Sequence, residues 1–260
     1  MPAERIGVSV RDTGKAADLA ALGLRVRVGD FQRPETLAAA FEGAEQVLIV
    51  SGPADPAPHR AAIDAAVAAG AKRVLYTSHM GASPDSEFIA TRSHARTELD
   101  LQAAGVPFTV LRNGFYATTT AWTLRPALDT GELILPEDGP VSWTAHVDLV
   151  DAAVLALTEP ERLSGVTPAL TGPESLDYQD IAAIASELTG RTITRITVPD
   201  EEWRQAMRTG GMPEGAVELT LGIFRASRRR EFAAVDPAME RLLGRQPVTA
   251  REVLAASLTG

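Results

Sequence analysis

Arg73-Val74-Leu75-Tyr76-Thr77-Ser78 is a short apolar run that ends at two hydroxyl side chains. It follows a helix-like segment closed by Gly70 and precedes a loop that contains glycine and proline. Such a run is typical of a buried parallel strand whose carboxyl end opens into the crevice where α/β sheets bind ligands. Residues 108–114 have the same form. For both segments, a core strand that merely ends in polar residues remains the alternative.

Strand-like and helix-like segments alternate through the first 111 residues. The predicted strands are residues 6–10, 24–28, 47–51, 74–77 and 108–111. The predicted helices between them are residues 16–22, a segment from Pro34 to Gly43, residues 58–69 and residues 93–104. This alternation indicates βαβ units with right-handed crossovers, and therefore a parallel sheet.

The alternation stops after Asn113. Residues 116–145 contain a threonine run, glycines and prolines, and no long periodic segment. Further along, the sequence predicts a strand at 192–198 and helices at 145–157, 177–188, 201–207, 214–225 and 249–258. We therefore expect an α/β core over residues 1–157 and a smaller C-terminal α/β lobe over residues 158–260, on the substrate side.

Composition excludes several classes of function. With 25 basic and 34 acidic residues among 260, the net charge is −9, which argues against a nucleic-acid or anionic-membrane binder. The chain has no cysteine, so thiolate catalysis and cysteine-ligated metal sites are excluded. The four histidines are scattered without metal-ligand spacing, and no apolar run approaches the ~18 residues of a membrane span. A cytoplasmic protein without a metal site is the expectation.

An ordered set of motifs carries a family resemblance. The motifs are Val10-Arg11-Asp12 with Lys15, Gly29-Asp30-Phe31, residues 47–51, His59 with Ile63-Asp64-Ala65-Ala66, Ala69-Gly70, Tyr76-Thr77-Ser78, His94 with Thr97-Glu98, and residues 105–114. In this order and spacing the chain resembles the NmrA-like atypical short-chain dehydrogenase family. Within that family it is most similar to the branch of type 2 NADPH-dependent quinone oxidoreductases.

The resemblance implies a Rossmann-like, doubly wound parallel sheet, with one departure. The family begins with a strand and a Gly-x-x-Gly-x-x-Gly turn that holds the dinucleotide pyrophosphate, whereas this sequence starts at what would be the second strand. A start site placed too late and a truncated paralogue are both open explanations. Without that central strand, either residues 6–10 pair directly with residues 47–51 or a gap remains between them.

The resemblance also implies a set of NADPH-binding residues. Arg11 and Lys15 would hold the adenosine 2′-phosphate, and a basic pair there favours NADPH over NADH. A solvated loop pair is the alternative for both, and a turn residue is the alternative for Asp30. The other implied contacts are Asp30 and Phe31 at the adenine, Ser51 and Gly52 at the riboses, and Thr77, Ser78 and His79 at the nicotinamide.

The Tyr-x-x-x-Lys pair of ordinary short-chain dehydrogenases is absent. The only lysines, Lys15 and Lys72, both precede Tyr76, the first tyrosine. Carbonyl reduction needs a proton as the alkoxide forms, whereas quinone reduction needs less help because its product is a stabilised aromatic. The absent pair therefore favours a quinone-like or other electron-poor acceptor.

Two residues are candidates for catalysis, each with a structural alternative. His94 stands four residues before Glu98, where related reductases have lysine, and it would donate a proton or orient the substrate. A surface histidine paired with Glu98 is the alternative. Tyr116 would line an aromatic acceptor pocket together with Phe115 and Trp143, and core packing is equally compatible with all three.

Three functions remain open from the sequence. The first is an NADPH-dependent reductase whose partner is a small-molecule acceptor, with a quinone as the leading candidate. The second is a non-catalytic NADP-sensing regulator, and the third is a truncated paralogue that binds no dinucleotide. A homodimer is an open alternative to a monomer.

Overall fold

The computed structural model describes residues 2–52 and 54–258. The strands in chain order are β1 (Gly7–Val10), β2 (Arg25–Val28), β3 (Gln46–Ile49), β4 (Arg73–His79), β5 (Phe108–Asn113), β6 (Phe115–Tyr116), β7 (Glu132–Pro136), β8 (Trp143–Thr144), β9 (Gly165–Val166) and β10 (Thr194–Val198). The α-helices are α1 (Ala17–Ala21), α2 (Leu37–Phe41), α3 (Ala57–Ala68), α4 (Ile89–Gln102), α5 (Thr118–Thr130), α6 (His146–Thr158), α7 (Tyr178–Thr189), α8 (Asp200–Thr209), α9 (Glu214–Arg228), α10 (Ala238–Leu243) and α11 (Ala250–Leu258).

The chain forms two compact units that are interleaved in sequence. The first unit contains Met1–Ser78, Ser93–Leu111 and Val154–Thr167, and the second contains His79–Arg92, Arg112–Ala153 and Pro168–Gly260. The segment Val154–Thr167, which contains residue 157 and the end of α6, belongs to the first unit.

The first unit contains the parallel strands predicted from the sequence. β1 pairs with β2, and a second sheet has the order β3-β4-β5-β9, with parallel pairing wherever register is defined. Helices α2, α3 and α4 bury an apolar side chain each against these strands, at Leu37, Ile63 and Leu101. The predicted α/β fold of the Rossmann-like kind is confirmed.

A gap separates β1 from β3. A cleft of about 1590 Å3, here called the sheet cleft, is lined by residues 7–10 of β1 and residues 46–48 of β3. Within the described part of the chain β1 pairs only with β2, and β3 only with β4. Of the two expected arrangements the structure therefore has the gap. Val50 and Val154, which are 62% and 49% exposed, add apolar surface to this cleft.

A buried arginine fixes the amino-terminal edge of the second sheet. Arg73, the first residue of β4, is 8% exposed. Its guanidinium donates to the carbonyl oxygens of Ala156 at 2.6 Å and Leu163 at 2.5 Å, and to the Thr109 hydroxyl at 2.5 Å. Burial lowers the pKa of Arg73 from its ordinary value. The side chain therefore joins β4 to β5, to the end of α6 and to the loop that follows it.

Replacing Arg73 by methionine is expected to destabilise the protein by about 3 kcal/mol, because buried oxygens lose charged donors that satisfy them. The adjacent Lys72→Met variant is the matched control. Lys72 forms an ion pair with Glu45 in which both side chains are mostly exposed, and its loss should cost less than about 1 kcal/mol. Urea unfolding measures both changes, and equal losses in the two variants would contradict the expectation.

The second unit is held by a cluster of aromatic side chains. Two pairs of strands, β6 with β8 and β7 with β10, run parallel beside helices that bury apolar side chains in one core. The large aromatic members of this core are Phe88, Phe115, Trp143, Tyr178, Trp203, Phe224 and Phe232. Asp148 near the start of α6 is fully buried and forms an ion pair with Arg245 at 2.7 Å.

Residues 116–145 were expected to have no long periodic segment, and this was wrong. The structure forms helix α5 there, with Pro126 inside it. Three consecutive threonines and a proline lower intrinsic helix propensity, which hid the helix. Thr120, Leu124 and Ala127 are buried at helical spacing, so tertiary packing stabilises α5.

Candidate functional site

The sheet cleft collects residues that follow three different strands. Arg11 follows β1, Asp30 and Phe31 follow β2, and Gly52 follows β3. Lys15, one turn after Arg11, lines the same cleft. The five share the carboxyl side of their strands, which is where open α/β sheets bind ligands.

Gly29 allows the end of β2 to approach β1 closely. A Cβ atom at this position would lie 1.9 Å from the Ser9 hydroxyl oxygen, so a side chain here would require Ser9 to move. Gly29 is buried, and its N–H donates to the Val10 carbonyl at 3.0 Å. This contact brings Asp30 beside the loop that begins at Arg11.

The two acidic residues near the basic pair are occupied by local backbone contacts. Asp30 accepts from the Gln32 N–H at 3.0 Å and from the Arg33 guanidinium, which together hold its pKa below the ordinary value, the backbone bond being the larger cause. Asp12 accepts from the Gly14 N–H at 3.0 Å. Both carboxylates thus stabilise turns. The contacts of Asp30 are those of a turn residue, and the residue also lines the sheet cleft.

The hydroxyls at the ends of β3 and β4 bond to neighbouring elements. The Thr77 hydroxyl accepts from the Ser51 N–H at 2.8 Å, and lies 3.2 Å from the Ser51 hydroxyl. The Ser78 hydroxyl donates to the Glu98 carboxylate at 2.6 Å, and both residues are buried. The structure therefore brings Ser51 and Thr77 together at the strand ends and directs Ser78 towards α4.

His59 stabilises the turn after β3, a role that the sequence did not reveal. Its Nε2 accepts from the Gly52 N–H at 3.0 Å, so Nε2 carries no proton. The neutral ring then has its proton on Nδ1, which lies 3.2 Å from the Thr97 hydroxyl, and that hydroxyl donates to the Ser93 carbonyl. Burial lowers the pKa of His59 and favours this neutral form. The only sequence signal for this role was the position of His59 near the start of the predicted helix that follows residues 47–51.

His94 is hydrogen-bonded to a buried tyrosine. Its Nδ1 lies 2.8 Å from the hydroxyl of Tyr76, and Tyr76 is fully buried. Burial, and to a smaller degree the proximity of His59, lowers the pKa of His94 to about 4. Burial also raises the pKa of Tyr76. The imidazole of His94 is therefore neutral near pH 7, and its Nδ1 shares a hydrogen bond with the phenol of Tyr76.

Tyr116 belongs to the second unit and is 41% exposed. Its ring packs against the ring of His146, with centroids 4.3 Å apart. The Nδ1 atom of His146 lies 3.4 Å from the Thr118 hydroxyl. Tyr116 is thus a partly exposed phenol with a fixed ring, in contrast to its neighbour Phe115, which is a core residue.

His79 and Trp143 are packed within the aromatic core of the second unit. The His79 ring lies 5.2 Å from that of Phe232 and 5.3 Å from that of Phe115, and its Nδ1 accepts from the Gly81 N–H at 3.0 Å. Trp143 is 1% exposed and its Nε1 donates to the Leu176 carbonyl. Of the two alternatives for Phe115 and Trp143, core packing is the one observed.

The residues of the sheet cleft fit the adenosine end of a dinucleotide. The cations Arg11 and Lys15 suit a phosphate, and the apolar ring of Phe31 suits a purine. The exposed Gly52 suits a close approach of the backbone to the ligand. No Gly-x-x-Gly-x-x-Gly turn, which would suit the central pyrophosphate, occurs in the described ranges 2–52 and 54–258.

Comparison with known proteins gives a family match over half of the chain. The model of an NAD(P)H-binding family matches residues 4–134. The NAD(P)H azoreductase of Xenophilus azovorans is 30% identical over 250 residues, covering 95% of this chain and 87% of that protein. An NmrA-like family domain-containing oxidoreductase of Aspergillus flavus is 28% identical over 244 residues, covering 89% of this chain and 79% of that one.

A solved structure agrees over the full length. The crystal structure of the NADPH-dependent quinone oxidoreductase of Escherichia coli complexed with NADPH has a TM-score of 0.93 and 27% identity. The match covers 100% of this chain and 92% of that one. The family resemblance inferred from the motifs is confirmed. In the described part of the chain, no helix has the length and apolarity that crossing a membrane requires.

Proposed function

The chain belongs to the NAD(P)H-binding family, and from this premise we propose that it is an NADPH-dependent reductase of quinone-like or other electron-poor acceptors. One observation carries the proposal: residues following β1, β2 and β3 meet in the sheet cleft. The dinucleotide, when bound, supplies a hydride. Because reduced nicotinamide dinucleotides are metabolites of the cytoplasm, we place the enzyme there.

In the proposed complex, Arg11 and Lys15 bind the 2′-phosphate of NADPH. Phe31 packs against the adenine, and Asp30 stabilises the turn that carries Phe31. Gly52 lies beside a ribose, where the absence of a side chain allows close approach. Ser51 and Thr77 brace the ends of β3 and β4, and Ser78 and His79 border the nicotinamide.

Two features support an electron-poor acceptor. The relatives include an azoreductase and a quinone oxidoreductase, whose named substrates accept electrons readily. The sequence has no lysine after Tyr76, so no Tyr-x-x-x-Lys pair exists to protonate a nascent alkoxide. A small quinone becomes aromatic on reduction and therefore needs less help from a proton donor than an ordinary carbonyl acceptor does.

Between the two candidates for catalysis, His94 and Tyr116, we assign proton donation to Tyr116. Its phenol is protonated at neutral pH, since burial raises its pKa, and the residue is partly exposed. With a pKa of about 4, His94 carries a proton in roughly one molecule in a thousand at pH 7. His94 therefore has a positioning role, because its hydrogen bond with Tyr76 joins helix α4 to strand β4.

Replacing Tyr116 by phenylalanine is expected to lower turnover roughly a hundredfold, because a positioned acid contributes at least that much when proton transfer matters. His94→Asn, whose amide oxygen takes the place of Nδ1, should lower turnover less than about tenfold, since no proton donor is lost. Trp122→Phe, at an exposed aromatic of α5, is the control and should leave turnover unchanged. The assay is oxidation of NADPH by small benzoquinones.

A fluorescence titration with NADPH separates the alternatives. Binding together with quinone reduction supports the reductase. Binding without reduction of any quinone or azo compound would replace it with an NADP-sensing regulator. Absence of binding would reject both, in favour of a paralogue without a dinucleotide.

A further inference from the structure

The backbone just after β3 is held by two side chains. The Ser51 N–H donates to the Thr77 hydroxyl at 2.8 Å. The next N–H along the chain, that of Gly52, donates to Nε2 of His59 at 3.0 Å. Because glycine has no Cβ atom, its own backbone preferences restrict the turn least. The bond to His59 therefore orders a position that the sequence by itself leaves free.

The tautomer of His59 is fixed from the opposite side of its ring. The Thr97 hydroxyl donates its proton to the Ser93 carbonyl at 2.9 Å, because a carbonyl oxygen only accepts. That hydroxyl has no second proton, so it accepts from Nδ1–H of His59, 3.2 Å away. With the proton on Nδ1, the neutral ring presents a lone pair at Nε2. Helix α4, which carries Ser93 and Thr97, thus makes Nε2 an acceptor for the Gly52 N–H.

His59 also supports the aromatic residue of the sheet cleft. Its ring meets the ring of Phe31 edge-on, with centroids 6.5 Å apart. On another side it packs against the ring of Tyr76, with centroids 5.4 Å apart. His59 is 1% exposed, whereas Gly52 and Phe31 both line the sheet cleft. One buried side chain therefore contacts two residues of the cleft from behind.

We propose that His59 is a positioning residue that holds Gly52 and Phe31 in the arrangement that binds the adenosine part of NADPH. This inference rests on the proposed function. Because His59 is buried behind both residues, it touches neither the cofactor nor a reacting atom. The role requires a free lone pair at Nε2, and therefore the Nδ1–H that donates to Thr97.

A role in packing alone explains the bond to Gly52 poorly. Gly52 is exposed, so its N–H would bond to water if an apolar side chain replaced His59. The bond therefore adds less to the stability of the fold than to the order of the turn. A turn that samples several arrangements binds its ligand only in the competent one, and the apparent affinity falls in proportion to the competent fraction.

Two amide side chains separate the two hydrogen bonds of the ring. Glutamine reaches about as far as Nε2, so His59→Gln keeps an acceptor for the Gly52 N–H. Asparagine reaches only about as far as Nδ1, so His59→Asn keeps a donor for Thr97 and loses that acceptor. Each variant loses one hydrogen bond, and the two thermal midpoints should fall by similar amounts. NADPH affinity should fall about tenfold in His59→Asn and less than about threefold in His59→Gln.

Thr97, which is fully buried, tests the tautomer without a change at the surface of the cleft. In Thr97→Val the Nδ1–H loses its acceptor, which favours the tautomer with the proton on Nε2, and Nε2 then no longer accepts from Gly52. NADPH affinity should therefore fall about tenfold, whereas Thr97→Ser keeps the hydroxyl and should restore it. NMR of the imidazole nitrogens reports which one carries the proton, and His59→Gln identifies the signals of His59 by removing them.

The measurements are fluorescence titrations with NADPH, thermal unfolding and the nitrogen spectra. Equal NADPH affinities in His59→Asn and His59→Gln would overturn the inference and assign His59 a structural role. A proton on Nε2 in the wild type would overturn it as well. In both cases NADPH binding by the wild type leaves the proposed function standing. If the wild-type chain binds no dinucleotide, the proposed function fails and the positioning role fails with it, while the spectra still decide the tautomer.

Discussion

Removing the basic pair of the sheet cleft is expected to abolish the preference for NADPH over NADH. Arg11→Ala alone should weaken NADPH binding tenfold or more, because a charge-assisted bond to phosphate contributes about 1.5–3 kcal/mol. The double variant with Lys15→Ala should weaken it roughly a hundredfold. NADH has no 2′-phosphate, so its affinity should remain nearly unchanged in both variants.

One acidic residue beside the basic pair is held by the local turn. Asp12, next to Arg11 in sequence, also lines the sheet cleft. One of its carboxylate oxygens accepts from the Gly14 N–H, within the turn that leads to Lys15. The turn therefore fixes the place of this carboxylate, while both cations line the same cleft.

Arg25→Ala is the matched control for charge. Arg25 is also an exposed arginine lining the sheet cleft, but it stands at the amino-terminal end of β2, away from the strand ends that carry Arg11 and Asp30. Its loss changes the net charge equally and should leave the ratio of the two affinities unaltered. Titrations with both dinucleotides measure that ratio. Equal weakening of NADPH and NADH in Arg11→Ala would show that Arg11 does not read the 2′-phosphate.

The strands and helices of the first unit were predictable because their signals are local. Each strand there is a short run such as Val74-Leu75-Tyr76, and each predicted helix ends at a glycine such as Gly70. Pairing partners follow from the rules for βαβ units. Helix α5 was missed because its stability comes from burial of Thr120 and Leu124, which residue propensities do not report.

From the sequence, the predictable feature of the site was that its residues follow the ends of parallel strands. That Arg11, Asp30 and Gly52 would share one cleft follows from the common direction of parallel strands. The partner of each side chain does not follow, because the bonds join distant segments. Thr77 bonds to Ser51 across 26 positions and His59 to Thr97 across 38. Residue types alone therefore gave His94 and Tyr116 as candidates for catalysis, and only their surroundings in the structure separate the two.

The same two buried histidines are expected to make the protein labile in acid. In the folded state the pKa of His94 is about 4 and that of His59 is also lowered, whereas an exposed histidine titrates near 6.5. As pH falls below 6.5 the unfolded chain binds protons that the folded chain excludes, so stability decreases. The contribution of neutral His94 is fully present above pH 6.5 and is lost as pH falls towards 4. That loss is on the order of 3 kcal/mol, at about 1.4 kcal/mol per unit.

His94→Asn should flatten this dependence, because the asparagine amide keeps a hydrogen-bonding group for the Tyr76 hydroxyl and cannot take up a proton in this range. Urea unfolding at a series of pH values between 6.5 and 4 measures the slope, which should fall by about one proton in the variant. Trp122→Phe, at an exposed aromatic side chain of α5 that does not titrate, is the control and should leave the slope unchanged. An identical slope in wild type and His94→Asn would mean that His94 is protonated in the folded protein. Proton donation, in place of a positioning role, would then be assigned to His94, since a charged imidazole near neutral pH is an effective acid.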